Sequence, residues 1–506
     1  MHPLNPMPTR RLLHICLPAC LLAACTVGPD YRRPAVELPK QWMADRAEPS
    51  ASAAAASGAF KMGGKELLDT TWWSGFGDPE LDALVTSALE GNKDLRIAAY
   101  RIEQFDAYLQ VSQSAGLPQA GYNASRTRDS LSQNRQVPLQ VGAKPVDNSY
   151  IVEGRASWDL DLWGRVRRSN ESALAELVAS EENRRALALS LVAEVASGYV
   201  RLLGLDHELQ LFAQTLASRR ETLRLLEAKL AGGGTSVLPV TKALADLQQT
   251  QAELPLKEAE IAALENALSS LVGRDPEPIR RGKTAATLTL PAVPAGLPAD
   301  LLAQRPDVRK AEQDLVAANA RIGVAKAQYL PDIALTGSSG FASADLSNLL
   351  KLSSNIGSFG VTLLGPIYTS GRIAGQVREA EAVQKQMATT FLRSVQTALR
   401  EVEDALVSYR KATETSAVRS LQVKALQDHR DMALKRHEGG YTGYLEVLDA
   451  DRSLYAGQLQ QGQARREQQV SVIAAYKAMG GGWALPEVTA PRPILLKTNR
   501  ESTNHE

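Results

Sequence analysis

Aromatic residues make up only 5% of the 506-residue chain, which argues for close helix packing rather than a large aromatic core. Neither sign of charge is in excess. The 57 Lys and Arg face 56 Asp and Glu, a net charge of +1, so the basic surplus that marks a nucleic-acid binder is missing and no nucleic-acid partner is expected. No uninterrupted run of 18 or more apolar residues occurs, which speaks against a membrane-spanning helix. No HExxH, CxxC, GxSxG or GxGxxG motif is present, and Gly282-Lys283-Thr284 ends like a phosphate-binding loop whose first glycine would fall at Glu277. Two of the six histidines stand in the first 24 residues, leaving few for a metal. Neither an enzyme nor a metal or cofactor site is expected. The 44% hydrophobic and 22% charged content is that of a folded protein.

All three cysteines, Cys16, Cys20 and Cys25, fall in the first 25 residues. Arg10 and Arg11 precede the apolar run Leu12 to Ala24, which has signal-peptide length. The run ends Leu22-Ala23-Ala24-Cys25, the pattern of a bacterial lipobox, where small residues flank the cut and the thiol carries a diacylglycerol. Residues 1–24 are thus expected to be a signal peptide, with Cys25 as the lipidated new N-terminus and no thiol left for a disulfide. Thr26, rather than Asp, suggests sorting to the outer membrane. An ordinary secretory signal cut elsewhere is the competing reading.

The chain uses one unit twice. Asp94-Leu95-Arg96 returns as Asp307-Val308-Arg309 and Leu117-Pro118 as Leu330-Pro331, both offset by 213. Gly164-Arg165 and Gly371-Arg372, Glu194-Val195 and Glu401-Val402, Thr235 and Thr442, and Gly273 and Gly480 are all offset by 207. The single six-residue change marks a loop; the gapless remainder is expected of rigid helices. We therefore expect a lipid-anchored segment over 25–70, a first repeat over 71–273, a linker over 274–298, a second repeat over 299–483 and a tail over 484–506. The linker carries five prolines and cannot be helical throughout. The Ala/Ser/Gly-rich stretch 47–64 and the Pro-containing tail are expected to be loosely ordered.

Each repeat reads helix, strand, strand, long helix, helix. Residues 165–231 contain no proline, and Val195, Leu202, Leu209, Leu216, Leu223 and Leu230 recur at sevens, a seam for packing on another long helix. Gly232-Gly233-Gly234 ends it, and a second helix follows to about Leu271, with a bend expected at Pro255. The second repeat copies this with a helix over 373–438, a break at Gly439-Gly440 and a helix to Met479. Helices of this length suit a tube or a projecting coiled coil rather than a globule.

Four segments alternate apolar and polar residues, roughly 119–130, 149–161, 332–342 and 355–365. In the second, Val152, Ala156 and Trp158 share a face while Glu153, Arg155 and Ser157 share the other. Such alternation suits a half-buried soluble sheet as well as an outer-membrane strand. The lipobox and the lack of a spanning helix favour the membrane. Four strands cannot close a barrel, and lipid tolerates no open edge, so oligomerisation is required: a dimer gives about 8 strands, a trimer 12. The loops at 131–148 and 343–354 lie on the side away from the helices.

The sequence resembles the outer-membrane factor family of the TolC/OprM type, in its lipoprotein (NodT-type) branch. The resemblance rests on Cys25-Thr-Val-Gly-Pro-Asp-Tyr31, Trp72-Trp73 with Asp78-Pro79, Gly296-Leu297-Pro298, Arg305-Pro306-Asp307-Val308, and Leu448-Asp449-Ala450 with Arg452-Ser453-Leu454. It implies a mostly α fold with a membrane β-barrel portion: a homotrimer whose 12-stranded barrel continues into a 12-helix α-barrel. It also implies the exit duct of a tripartite efflux pump, joined through a periplasmic adaptor (membrane fusion) protein to an inner-membrane transporter, passively passing drugs or other small molecules. A lipid-anchored coiled-coil tether without a pore is the alternative. By position, the adaptor would dock on the hairpin tips Gly232, Gly233, Gly234, Thr235 and Gly439, Gly440, Thr442, Gly443. Leu445 and Asp449 would constrict the pore, with Arg452 as an ion-pair partner for Asp449. The first tip has Pro239 and Lys242 instead of this pattern and is expected to contribute less to closure.

Overall fold

The computed structural model describes residues 26–36, 71–130, 132, 146–293 and 304–481. The signal segment with Cys25, residues 37–70, most of the 131–148 loop, residues 294–303 and the tail from 482 lie outside the described residues. After a short 3-10 turn at Trp72–Phe76 come α1 (Pro79–Gly91), α2 (Lys93–Ser114), β1 (Gln119–Ser130), β2 (Val146–Leu160), α3 (Arg165–Ala231) and α4 (Val237–Val272). Then follow α5 (Pro306–Ala327), β3 (Asp332–Ser343), β4 (Asn355–Leu364), α6 (Arg372–Glu438) and α7 (Tyr444–Ala478).

A separate short helix, α1, precedes α2. Asn92 divides them: its backbone leaves the helical region, its side chain caps α2 through the Leu95 amide at 3.0 Å, and its amide donates to the Leu271 carbonyl at 2.8 Å. The helices α3 and α6 have 67 residues each, on the order of 100 Å at ~1.5 Å per residue. Each begins after a glycine in the left-handed region, Gly164 or Gly371, where a side chain would be strained. The helix α4 runs unbroken through Pro255, which is exposed.

One expectation needs correcting. Although no uninterrupted apolar run exists, α3 contains an 18-residue window apolar enough on average to cross a membrane. About two-thirds of it is buried within the protein, where Val195, Tyr199 and Leu202 form the main core. Its apolarity is consumed by packing: α3 contacts α2, α4, α5 and α7, while α6 contacts α5 and α7.

Polar ties lock the middle of the molecule. Glu182, 1% exposed, pairs with Arg185 at 2.7 Å and Arg309 of α5 at 2.8 Å; burial still raises its carboxyl above the usual range against the pull of both guanidiniums. Asp78 is fully buried and caps α1, accepting from the Glu80 amide at 3.0 Å. The Tyr199 hydroxyl donates to Asp78 at 2.8 Å, the Lys283 amide donates to Asp78 at 3.0 Å, and the Gly282 amide donates to Tyr199 at 3.0 Å. Gly282-Lys283-Thr284 is therefore a strap that docks the linker on α3. Replacing Asp78 with alanine removes a cap and strands a buried phenol, a loss of about 2–4 kcal/mol. Faster amide exchange across residues 279–289 is the expected sign; unchanged exchange there would refute it.

The strands form one antiparallel sheet in the order β1-β2-β3-β4. The register stacks Tyr122, Val152, Trp158, Leu335, Phe341, Phe359, Val361 and Leu363 on one face. Asn123, Glu153, Arg155, Ser157, Thr336, Ser338 and Ser358 stack on the other. The apolar face is bare, with Tyr122 91% and Phe359 80% exposed. On the polar face Glu153 is buried and accepts from Arg155. A Cβ at Gly340, its cross-strand partner, would lie 2.2 Å from the Val152 carbonyl oxygen. At the junction of sheet and helices, residues 26–36 lie along α3 and α5. There the Val27 amide donates to the Trp163 carbonyl at 3.1 Å, and Asp30 pairs with Arg168 at 2.7 Å.

Candidate functional site

The tips of the two α-hairpins are built alike. In the first, the Gly234 amide reaches back to the Lys229 carbonyl at 2.8 Å, with Gly233 at φ +72°. In the second, the Tyr441 amide reaches back to the Arg436 carbonyl at 2.9 Å, with Gly440 at φ +72°. Each is the helix-ending turn that a left-handed glycine makes possible. Gly232, Gly233 and Gly234 are exposed, as are Gly439, Gly440 and Gly443, while Thr235 and Thr442 are half-buried.

Side chains join the two tips. The His437 Nδ1–H donates to the Thr442 carbonyl at 3.1 Å, which leaves Nε2 to accept from Lys229 Nζ at 3.5 Å. The Tyr444 ring sits edge-on to His437 at 5.0 Å, and Lys229 lies 6.0 Å above it. Tyr444 was missed in the sequence; its sole signal was an aromatic at a helix start where the first repeat has Val237.

Deeper between the hairpins run the charged contacts. Leu445 is half-buried and Asp449 exposed, and Asp449 faces Lys242 of α4 at 3.7 Å. Arg452 does not pair with Asp449: its guanidinium binds Asp246 of α4, whose carboxylate is 8% exposed. The partner across a hairpin outcompetes the neighbour one turn away because the buried carboxylate needs a cation more than an exposed one does. Lys242 and Asp246 thus tie the first hairpin to the second at this height. Arg430 of α6 binds Asp451 at 3.0 Å and Asp431 at 3.1 Å, and these hydrogen bonds raise its guanidinium above its ordinary value. Among the described residues no group of three or more His, Cys, Asp or Glu is placed to hold a metal.

A family model described as "Outer membrane efflux protein" matches residues 84–274 and 297–481. The solvent efflux pump outer membrane protein SrpC of Pseudomonas putida is 34% identical over 472 residues, 92% of this chain and 97% of its own. The cation efflux system protein CusC of Escherichia coli O6:H1 is 31% identical over 475 residues, 94% of this chain and 99% of its own. Among solved structures, the open state of the MtrE outer membrane channel of Neisseria gonorrhoeae superposes with a TM-score of 0.76 at 29% identity, covering 90% of this chain and 98% of that one.

Proposed function

Since the chain belongs to the outer membrane efflux protein family and serves as an outer-membrane efflux channel, we propose that three copies close their sheets into one 12-stranded barrel above a tunnel of 12 helices. The sheet carries this reading. It has one bare apolar face for lipid, one polar face for water, and two edges, β1 and β4, that hydrocarbon does not tolerate unpaired. A tether without a pore has no use for a polar face lined by Glu153 and Arg155.

Cys25 carries the lipid anchor. The docking of Val27 on Trp163 supports this, since it sets Val27, two residues on in the sequence, beside the junction of sheet and helices, where a membrane surface would lie. A periplasmic adaptor docks on the glycine tips, and an inner-membrane transporter supplies the energy and chooses the cargo. The names of the relatives, one a solvent exporter and one a cation exporter, support placing that choice outside the duct.

Closure falls at Leu445, Asp449 and Arg452, held to the first hairpin by Lys242 and Asp246. Purified full-length protein should run as a trimer and give discrete current steps in a planar bilayer; flat traces or another mass would favour the tether. Asp449→Ala removes an exposed ion pair and should raise antibiotic sensitivity modestly, by about twofold. Unchanged sensitivity and conductance in a well-expressed variant would count against that role.

A further inference from the structure

The apolar seams near the tips lie inside each hairpin: Leu216, Leu223 and Leu247 in the first, Ala433, Val447 and Ala450 in the second. Between the hairpins, α3 and α7 face each other across a cavity of about 330 Å³. Its wall carries three arginines, Arg219, Arg430 and Arg452, against two aspartates, Asp246 and Asp451, with Tyr455 beside them. Two of the arginines are matched, Arg452 by Asp246 and Arg430 by Asp451.

Arg219 is not matched in this way. Its Nη1 donates to the Asp246 backbone carbonyl at 2.6 Å and to the Thr250 hydroxyl, so it meets neutral oxygens. The Nε–Nη2 edge, the fork that binds two oxygens of one anion, has no acceptor among the described residues. The Tyr455 ring lies 5.4 Å from this guanidinium, and its buried hydroxyl has no hydrogen-bond partner among the described residues. Burial, and then the charge of Glu253, push that phenol up, so it remains a donor in the periplasm. Thr215 and Thr222 add hydroxyls to the same wall. A half-buried cation beside a buried donor that lacks an acceptor specifies the missing chemistry: small, negatively charged and rich in oxygen.

We infer that this cavity binds a small oxyanion, a phosphate or a carboxylate, through the Nε–Nη2 fork of Arg219 and the Tyr455 hydroxyl. Seated there, the anion ties α3 of the first hairpin to α7 of the second and braces them against separation. That consequence rests on the tips being the closable end of the duct; the binding itself does not.

The test uses the purified full-length protein, titrated with inorganic phosphate and, separately, with acetate at constant ionic strength, followed by calorimetry and thermal midpoint. Phosphate should bind saturably and raise the midpoint. Arg219→Gln should abolish both effects, and Arg219→Lys, which keeps the charge without the fork, should lose most of them. Tyr455→Phe, which removes one hydroxyl and keeps the ring, should weaken binding about tenfold. Saturable acetate binding extends the ligand class to carboxylates; phosphate binding alone restricts it to tetrahedral anions. A response that never saturates, or one equal in wild type and Arg219→Gln, overturns the inference. Current steps from wild-type protein in phosphate-free buffer test the channel separately, and their absence would leave the binding result standing.

Discussion

Arg452→Met is expected to leave the outer membrane leaky. The Asp246 carboxylate is 8% exposed and loses its cation, while methionine keeps most of the arginine stem. Breaking a buried pair from one side costs about 3–5 kcal/mol; with the arginine 49% exposed, solvent screening lowers this to about 1–2 kcal/mol per chain. If the tips close the duct as proposed, the cost falls there, where the pair joins the hairpins. The open fraction should therefore rise on the order of tenfold, read as spontaneous current in a bilayer and as uptake of antibiotics too large for ordinary porins. Adding Asp246→Leu removes the stranded charge and should restore much of the closure, because an apolar pair of similar volume substitutes well for a buried ion pair. A double variant as leaky as the single one would mean that the pair does not hold the tip.

The second large effect lies at the other end. Gly340→Val places a branched side chain where even a Cβ would come 2.2 Å from the Val152 carbonyl oxygen and 2.6 Å from the Glu153 Cβ. These atoms belong to the adjacent strand, so relief requires breaking the β2–β3 ladder at the seam that joins the two halves of the chain. The expected outcome is loss of heat-resistant oligomer and of channel activity, with the helical circular dichroism largely kept. Wild-type oligomer levels in the variant would show that the sheet can shift at this point.

The sequence and the structure agree best where one segment decides the matter by itself. The absence of proline and the sevenfold spacing mark residues 165–231, and α3 occupies that span. Alternation marks the strands, with β2 beginning three residues earlier, at Val146. Agreement fails where residues about 200 positions apart decide. Asp246 and Lys242 carry no motif, and their role appears when α4 lies beside α7. An arginine three residues after Asp449 reads as its partner along one helix, a reading that contains no information about burial. Asn92 shows the same dependence on a small scale: besides capping α2, its side chain binds the Leu271 carbonyl, 179 positions away.

The equal length of α3 and α6 constrains how such a chain can change size. Lys229 meets His437, and Thr222 stands 3.4 Å from the Tyr444 hydroxyl, so the two tips stand level. One added heptad lengthens a helix by about 10 Å. Given to a single hairpin, it would carry that tip past the other and unseat the Lys242–Asp449 and Asp246–Arg452 ion pairs together. Insertions and deletions in the helical shaft should therefore be tolerated only as matched sets, in α3 with α4 and in α6 with α7 at the same height. By this geometry, shaft length is one character written in four places.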